Sequence, residues 1–322
     1  MLPAHHFHGL VLALYGSLLV GAEVVVMPAF NARKALESIA RYEIDIVMGV
    51  PTMYARMIDA ATSDDSLGGL RLALCGSAPL GRDGWQRFYD RFGVQLVERY
   101  GLTEVGIITT NPVDAPRGGS VGKPIPSTAV VVRTNDGYVS YKPGVQGPRG
   151  EICISGPTVM SGYGDDAQAT AEAIHDGYFH SGDLGSFDAD GYLWIDGRIK
   201  ELIIVGGSNV IPGEVERALS AVGGVGELAV AGIPDADLGE VVAAFVVSRG
   251  AVSEADQHGS GGDDSRPAAS ARSRIEQDLR DAAERALARY KRPRRYLFVD
   301  ELPRNAMGKI DRKRLTALSA EL

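Results

Sequence analysis

Cysteine is scarce: the 322 residues contain two, Cys75 and Cys153. That excludes a disulfide scaffold. Both sit in apolar runs, LALC and EICI, and read as small buried hydrophobes of a reducing, cytoplasmic compartment. Positive charge is short as well. Lys and Arg number 33 against 41 Asp and Glu, a formal net charge of −8, which argues against a nucleic-acid binder working through bulk charge. Long apolar runs are missing too. The uncharged stretch from Gly9 to Ala22 is shorter than the ~20 residues of a membrane helix, and no Lys or Arg precedes it as in a signal peptide. It reads as a buried helix leading into a strand, Val24–Met27. Apolar residues are not scarce; at 45% they supply enough burial to offset chain ordering, which excludes disorder throughout.

The first hundred residues alternate helix and strand signals. Asn31 is placed to cap a helix with Leu36, Ile39 and Ala40 on its apolar face. Strands are expected at Ile44–Val50, Arg71–Cys75 and Val94–Val97. Helices are expected from Pro51, a residue suited to a first turn, and over Leu80–Phe92. This alternation predicts a parallel sheet covered on both faces. Residues 113–197 change texture, with Gly, Pro and short β runs at Ala129–Val132, Gly150–Ile154 and Tyr192–Ile195. A third section has strands at Glu201–Val205, Glu227–Ile233 and Val241–Val247, with a helix over Pro212–Val222. Its amphipathic helix, Ala271–Arg292, carries Ile275, Leu279, Ala283, Leu287 and Tyr290 on one face. Residues 252–270, rich in Gly, Ser and Asp, read as a flexible loop.

Four segments carry chemistry. In Glu98-Arg99-Tyr100-Gly101-Leu102-Thr103-Glu104, which follows a strand, Tyr100 offers a ring face for a base, Thr103 a hydroxyl for phosphate and Glu104 a hard oxygen for magnesium. Taken alone, a Thr-Glu pair after a turn marks a helix start. In His180-Ser181-Gly182-Asp183, the aspartate is either an Asx-turn residue or a carboxylate accepting two ribose hydroxyls. The third segment runs Gly197-Arg198-Ile199-Lys200-Glu201 into Gly206-Gly207-Ser208. The fourth, Pro303 to Arg312, places Lys309 beside Gly308, where a lysine can swing to a phosphate.

These four segments, in this order and spacing, resemble the adenylate-forming superfamily of acyl-CoA synthetases, carrier-protein adenylation domains and firefly-type luciferases. The resemblance runs over essentially the whole chain, and residues 71–80 resemble the adenine-binding strand and turn. The implied fold is α/β: a partial large domain, 1–197, with a mixed α/β sheet and a β-rich subdomain, then a small mobile α+β domain, 198–322. The implied activity is an ATP-dependent acyl-CoA synthetase: carboxylate and ATP give acyl-AMP and pyrophosphate, and the thiol of coenzyme A then displaces AMP. By resemblance Gly76, Ser77, Ala78, Tyr100 and Gly101 bind the nucleotide base. Asp183 and Arg198 hold the ribose, Thr103 meets phosphate and Glu104 holds Mg²⁺. Lys309 is the adenylation lysine, Lys200 the hinge, and Gly206 and Gly207 line the CoA tunnel.

The segment Met1–Gly9 resembles a part of the family that lies after its Ser/Thr/Gly-rich phosphate loop. On that basis the chain is expected to be truncated, with a separate N-terminal segment as a partner. A carrier-protein-loading adenylation module and a non-catalytic nucleotide- or CoA-binding remnant stay open as alternatives. For the acid, the run Val50–Arg56 resembles malonyl-CoA synthetases, which implies that Arg56 grips a distal carboxylate. A solvated helix-face arginine is the plainer reading. Small, medium-chain and aryl acids remain open, and His8 is expected near the acyl pocket.

Overall fold

The computed structural model describes residues 1–249, 265–305 and 309–321. The chain divides into two compact units, Met1–Ile195 and Asp196–Leu322. Among the described residues no helix is long and apolar enough to cross a membrane.

The first unit begins with a π-helix, His8–Gly16, that runs into the short α1 (Ser17–Leu19). Then come α2 (Ala32–Arg41), β1 (Ile46–Gly49), α3 (Pro51–Ala60), β2 (Leu72–Cys75), α4 (Gly81–Phe92) and β3 (Leu96–Leu102). Next are β4 (Gly106–Thr110) and β5 (Lys123–Pro124), which complete a sheet of order β1-β2-β3-β4-β5. β1, β2 and β3 are parallel; β4 returns antiparallel. Local chemistry sets the helix ends. The Asn31 side chain accepts from the Lys34 N–H, Pro51 opens α3, and Gly93 at φ +68° ends α4.

The structure differs from the sequence reading at Gly9–Ala22, at Val24–Met27 and at the end of β3, and it gathers the helices on one face. Helices α2, α3 and α4 gather on one face of the parallel strands, packing Leu36, Ile39, Tyr54, Met57 and Phe88 against Val47, Ala73, Cys75 and Leu96. The register puts Met48, Leu74, Val97 and Arg99 on the other face, away from these helices, where Leu74 and Val97 are also buried. The stretch from Gly9 to Ala22 is not a buried helix, for Leu19 is 87% and Val20 81% exposed, and Val24–Met27 forms no strand. An apolar run becomes a strand only beside a partner whose N–H and C=O groups it satisfies, and this one lies against none among the described residues. β3 also runs five residues further than expected, so Arg99, Tyr100 and Gly101 lie on the strand itself.

The second sheet of this unit is built from β6 (Ala129–Thr134), β7 (Gly137–Ser140), β8 (Gly150–Ser155), β10 (Tyr178–Phe187) and β11 (Leu193–Arg198), whose end from Asp196 on belongs to the second unit. Its order is β11-β10-β8-β6-β7, with α5 (Ala167–Ala173) leading into β9 (Ile174–His175), which pairs with β10. Val130, Val132, Ile152, Ile154 and Phe179 face its core, together with Val105 and Ile108 from around β4. Alternation therefore sends Arg133, Glu151, Cys153 and His180 to the opposite face.

The second unit contains β12 (Ile203–Val205), β13 (Ser208–Val210), α6 (Pro212–Leu219), β14 (Val225–Asp235) and β15 (Gly239–Ser248). It continues with α7 (Ser265–Ala286), β16 (Arg295–Phe298) and α8 (Arg312–Leu318). In the β13-β12-β15-β14 sheet, Val242, Ala244 and Val246 meet α6 and α7, while Ala243, Phe245 and Val247 join the core containing Leu315 of α8. Burial on both faces explains why this strand reads as an unbroken apolar run. α7 stops at Ala286. Its last carbonyls are met by Arg292, which donates to the Leu287 and Glu284 oxygens, so Tyr290 leaves the apolar stripe and is 44% exposed. The expected loop over 252–270 lies outside the described residues as far as 264; from Ser265 the chain is helical.

Candidate active site

In the first unit the loops and residues around the C-terminal ends of β2 and β3 converge, the region where open α/β sheets bind ligands. Gly76, Ser77 and Ala78 follow β2. A Cβ on Gly76 would lie 3.2 Å from the Arg99 carbonyl oxygen, so the turn packs closely against β3. Ser77 takes φ +69°, and its Oγ is 3.1 Å from His8 Nδ1. On β3, Gly101 has no room for a side chain: a Cβ would stand 2.0 Å from the Gly106 carbonyl oxygen. The close approach lets β3 and β4 form a tight hairpin. Thr103 and Glu104 occupy its turn, which is a reversal and not the helix start that the pair alone suggests. Thr103 is exposed. Glu104 is half-buried, and its Oε1 accepts from the Tyr163 hydroxyl at 3.1 Å.

Asp183 comes from the other sheet. It lies within β10, where pairing with β8 slips between His180 and Leu184. Only 4% exposed, its Oδ2 accepts from the Tyr100 hydroxyl at 2.5 Å. Two residues separated by 83 positions are thus joined, one with a ring face suited to a base and the other with a carboxylate suited to a diol.

Beside them lies a group that composition and spacing did not flag. Arg99 is on the face of the sheet away from α2, α3 and α4. Its Nη2 reaches the Met48 sulfur at 3.5 Å, and its buried Nε has no hydrogen-bond partner among the described residues. Burial lowers its pKa, so the guanidinium sits in an environment that favours an incoming anion. His8 stands close by. Burial first, and then the Arg99 charge, lower its pKa to about 4, so it is neutral near pH 7, and its Nε2 has no partner among the described residues. Arg56 lies on α3 and is exposed. The signal for Arg99 was present in the sequence: an arginine two residues beyond a buried apolar strand core.

The second unit carries the remaining residues. Arg198 ends β11, and Lys200 lies on an exposed 3₁₀ turn, Ile199–Glu201. Gly206 and Gly207, at φ +53° and +82°, form the two-residue turn between β12 and β13, a hairpin geometry that requires positive φ at both positions. Lys309 is exposed. Its C=O accepts from the Asn305 N–H at 2.9 Å, and its own N–H donates to Asn305 Oδ1 at 3.1 Å. The loop is closed by a bridge from Arg304 to Ile310.

An α/β unit that joins Tyr100 to Asp183 near the ends of its strands, followed by an α+β unit bearing the exposed Lys309, defines the class. The chain belongs to the AMP-binding enzymes: residues 1–164 match the AMP-binding enzyme family, and residues 214–309 match the AMP-binding enzyme C-terminal domain. It is 36% identical to the sulfoacetate–CoA ligase of Cupriavidus necator, over 98% of this chain and 57% of that protein. It is 38% identical to the feruloyl-CoA synthase of an Amycolatopsis species, over 96% of this chain and 58% of that one. The ATP-bound crystal structure of MatB from Rhodopseudomonas palustris superposes with a TM-score of 0.83 at 34% identity, covering 98% of this chain and 59% of that one. The chain thus spans a little over half the length of the curated relatives it matches.

Proposed function

We propose that the chain serves an ATP-dependent acid–thiol ligase, with coenzyme A as the thiol and a small acid carrying a second negative charge as the substrate. A substrate carboxylate oxygen attacks the α-phosphorus, pyrophosphate leaves, and the thiol sulfur then attacks the acyl carbonyl and expels AMP. Tyr100 and Gly76–Ala78 take the adenine, and Asp183 with Arg198 takes the ribose. Thr103 and Glu104 offer the hydroxyl and carboxylate oxygens that suit Mg²⁺, which when bound offsets phosphate charge. Lys309 stabilises negative charge developing during adenylation, Lys200 is the hinge, and the Gly206–Gly207 turn admits the slim pantetheine arm. The triphosphate is held by a separate segment that includes the phosphate loop, and the protein works in the cytoplasm.

The observation that carries the choice of acid is Arg99: a half-buried guanidinium with an unpartnered Nε beside a neutral histidine. A distal carboxylate would complete it with charge-assisted hydrogen bonds. Arg56 remains a second, exposed cation for the same purpose. The test compares malonate with acetate and octanoate in a form that performs adenylation. Arg99→Leu should lower kcat/KM for malonate by about 10²-fold relative to acetate, the scale of a hydrogen-bonded charge pair. An equal loss for all three acids would show that Arg99 supports the fold and not the choice of acid.

A further inference from the structure

Glu151 lies on β8, on the face turned away from the core, and no sequence motif marked it. The β8–β10 register pairs His180 with Cys153 and Leu184 with Glu151. Ser181, Gly182 and Asp183 are therefore set against Ile152 alone. The extra residues form a bulge that aims Asp183 at Tyr100. Bulges of this kind lose ladder hydrogen bonds, and other groups must replace them.

Here side chains replace them. Ser181 Oγ donates to the Ile152 carbonyl at 2.6 Å and accepts from the Asp183 N–H at 3.0 Å. The N–H of Gly182, which has φ +69°, donates to Glu151 Oε1 at 3.1 Å. The other carboxylate oxygen, Oε2, is fixed from two sides, by Arg133 Nη1 at 3.3 Å and His180 Nδ1 at 3.1 Å. His180 is oriented in turn: its Nε2 lies 3.2 Å from the Tyr138 hydroxyl, which donates to Asp176, and its ring stacks on His175 at 3.7 Å.

Glu151, Cys153 and His180 bring their ligand atoms within 4.8 Å of one another, the makings of a metal site. Two features oppose that reading. Burial pushes the Cys153 thiol up to about 12, so it stays protonated, and the Arg133 guanidinium already meets the Glu151 charge. The chemistry left to the cluster is positional.

We propose that Glu151 is a positioning residue for the nucleotide ribose. It holds the Gly182 amide, and so fixes the bulge on which Asp183 sits. This rests on the reading of Asp183 as the ribose ligand, and the experiment separates the two. The chain and its Glu151→Ala and Glu151→Gln variants are titrated calorimetrically with AMP and with 2′,3′-dideoxy-AMP. Amide hydrogen exchange is followed over residues 178–187. Glu151→Ala should weaken AMP by about tenfold, the scale of one hydrogen bond to a charged group, and leave the dideoxy analogue unchanged. Glu151→Gln retains an acceptor for the Gly182 N–H and should recover AMP binding to within about threefold. Exchange at Gly182 and Asp183 should quicken in the alanine variant alone.

Equal weakening of both nucleotides, or no change in exchange at Gly182, overturns the proposal. Equal affinity of the unsubstituted chain for AMP and its dideoxy analogue removes the ribose reading of Asp183, and with it the proposal. If the chain retains neither nucleotide, the exchange measurement alone decides whether Glu151 holds the bulge, and no quickening refutes it.

Discussion

Arg312 and Glu201 stand 111 positions apart in the sequence and 2.8 Å apart in space, guanidinium Nε to carboxylate Oε2. The same guanidinium reaches Glu216 Oε1 at 2.6 Å and the Val230 carbonyl at 2.7 Å. One cation thus ties the turn that carries Lys200 to α6, to β14 and to the start of α8, just after Lys309. Replacing it with glutamine leaves two partly buried carboxylates facing each other without a counter-charge. Arg312→Gln should cost the second unit about 2 kcal/mol, below the value for a fully buried pair because these side chains keep some solvent contact. The urea midpoint measures it. A midpoint within error of the unsubstituted protein would mean that solvent already screens the network.

Tyr100→Phe keeps the ring and removes the hydroxyl bonded to Asp183. AMP affinity should fall by about tenfold, as expected for losing a hydrogen bond to a charged group, while fold stability changes little. Calorimetric titration reads the first and thermal unfolding the second. An unchanged affinity would show that the Asp183 carboxylate keeps its aim without the phenol.

Lys309→Ala should depress acyl-adenylate formation by about 10²–10³-fold, with thiolation of pre-made acyl-AMP nearly unaffected. If Lys200 is the hinge as proposed, Lys200→Pro should do the reverse, since a fixed φ would stiffen that connection. Both half-reactions are followed separately in a form that performs them. Matched losses in the two steps for either variant would contradict the division of labour between these lysines.

The pH dependence of stability should be flat where two buried groups oppose each other. His8 falls from 6.5 to about 4, so the folded protein binds fewer protons than the unfolded chain in that window, and stability drops as pH falls through it. Glu98, which accepts from the Gly119 N–H at 2.7 Å, is raised by burial from 4.5 to about 7. There the folded state binds more protons, and stability drops as pH rises. Between pH 4.5 and 6.5 the slopes have opposite signs and similar size. His8→Gln should therefore lose stability from pH 4.5 to 6.5, whereas Glu98→Gln should gain it, as read by urea midpoints at the two pH values. Parallel slopes in both variants would show that other groups dominate.

Much of the fold could be read from local patterns. Asn31, Pro51 and the apolar stripe containing Leu279, Ala283 and Leu287 announce their helices because caps and periodicity act within a few residues. The order of the motif segments was likewise visible. What escaped depends on pairing between distant strands. Arg99 is exceptional only because register puts it on the face without α2, α3 and α4. Glu151 matters only because three residues of β10 stand against one of β8. Val24–Met27 has strand composition, yet composition supplies no neighbour. The helix that ends at Ala286 rather than Arg292 does so through Arg292 itself, a tertiary contact that no periodicity contains.

The absence of space at Gly101 bears on how this chain can change over generations. Any single-base change that replaces its codon with another amino acid adds a Cβ, and that atom collides with the Gly106 carbonyl. Such variants should be purged in a mutational scan whatever acid is supplied. Arg56 and Arg99 meet no such wall. If the arginines set the acid as proposed, libraries selected for new acids should accumulate substitutions at Arg56 and Arg99 and almost none at 101, so novelty would enter there while the hairpin stays mute.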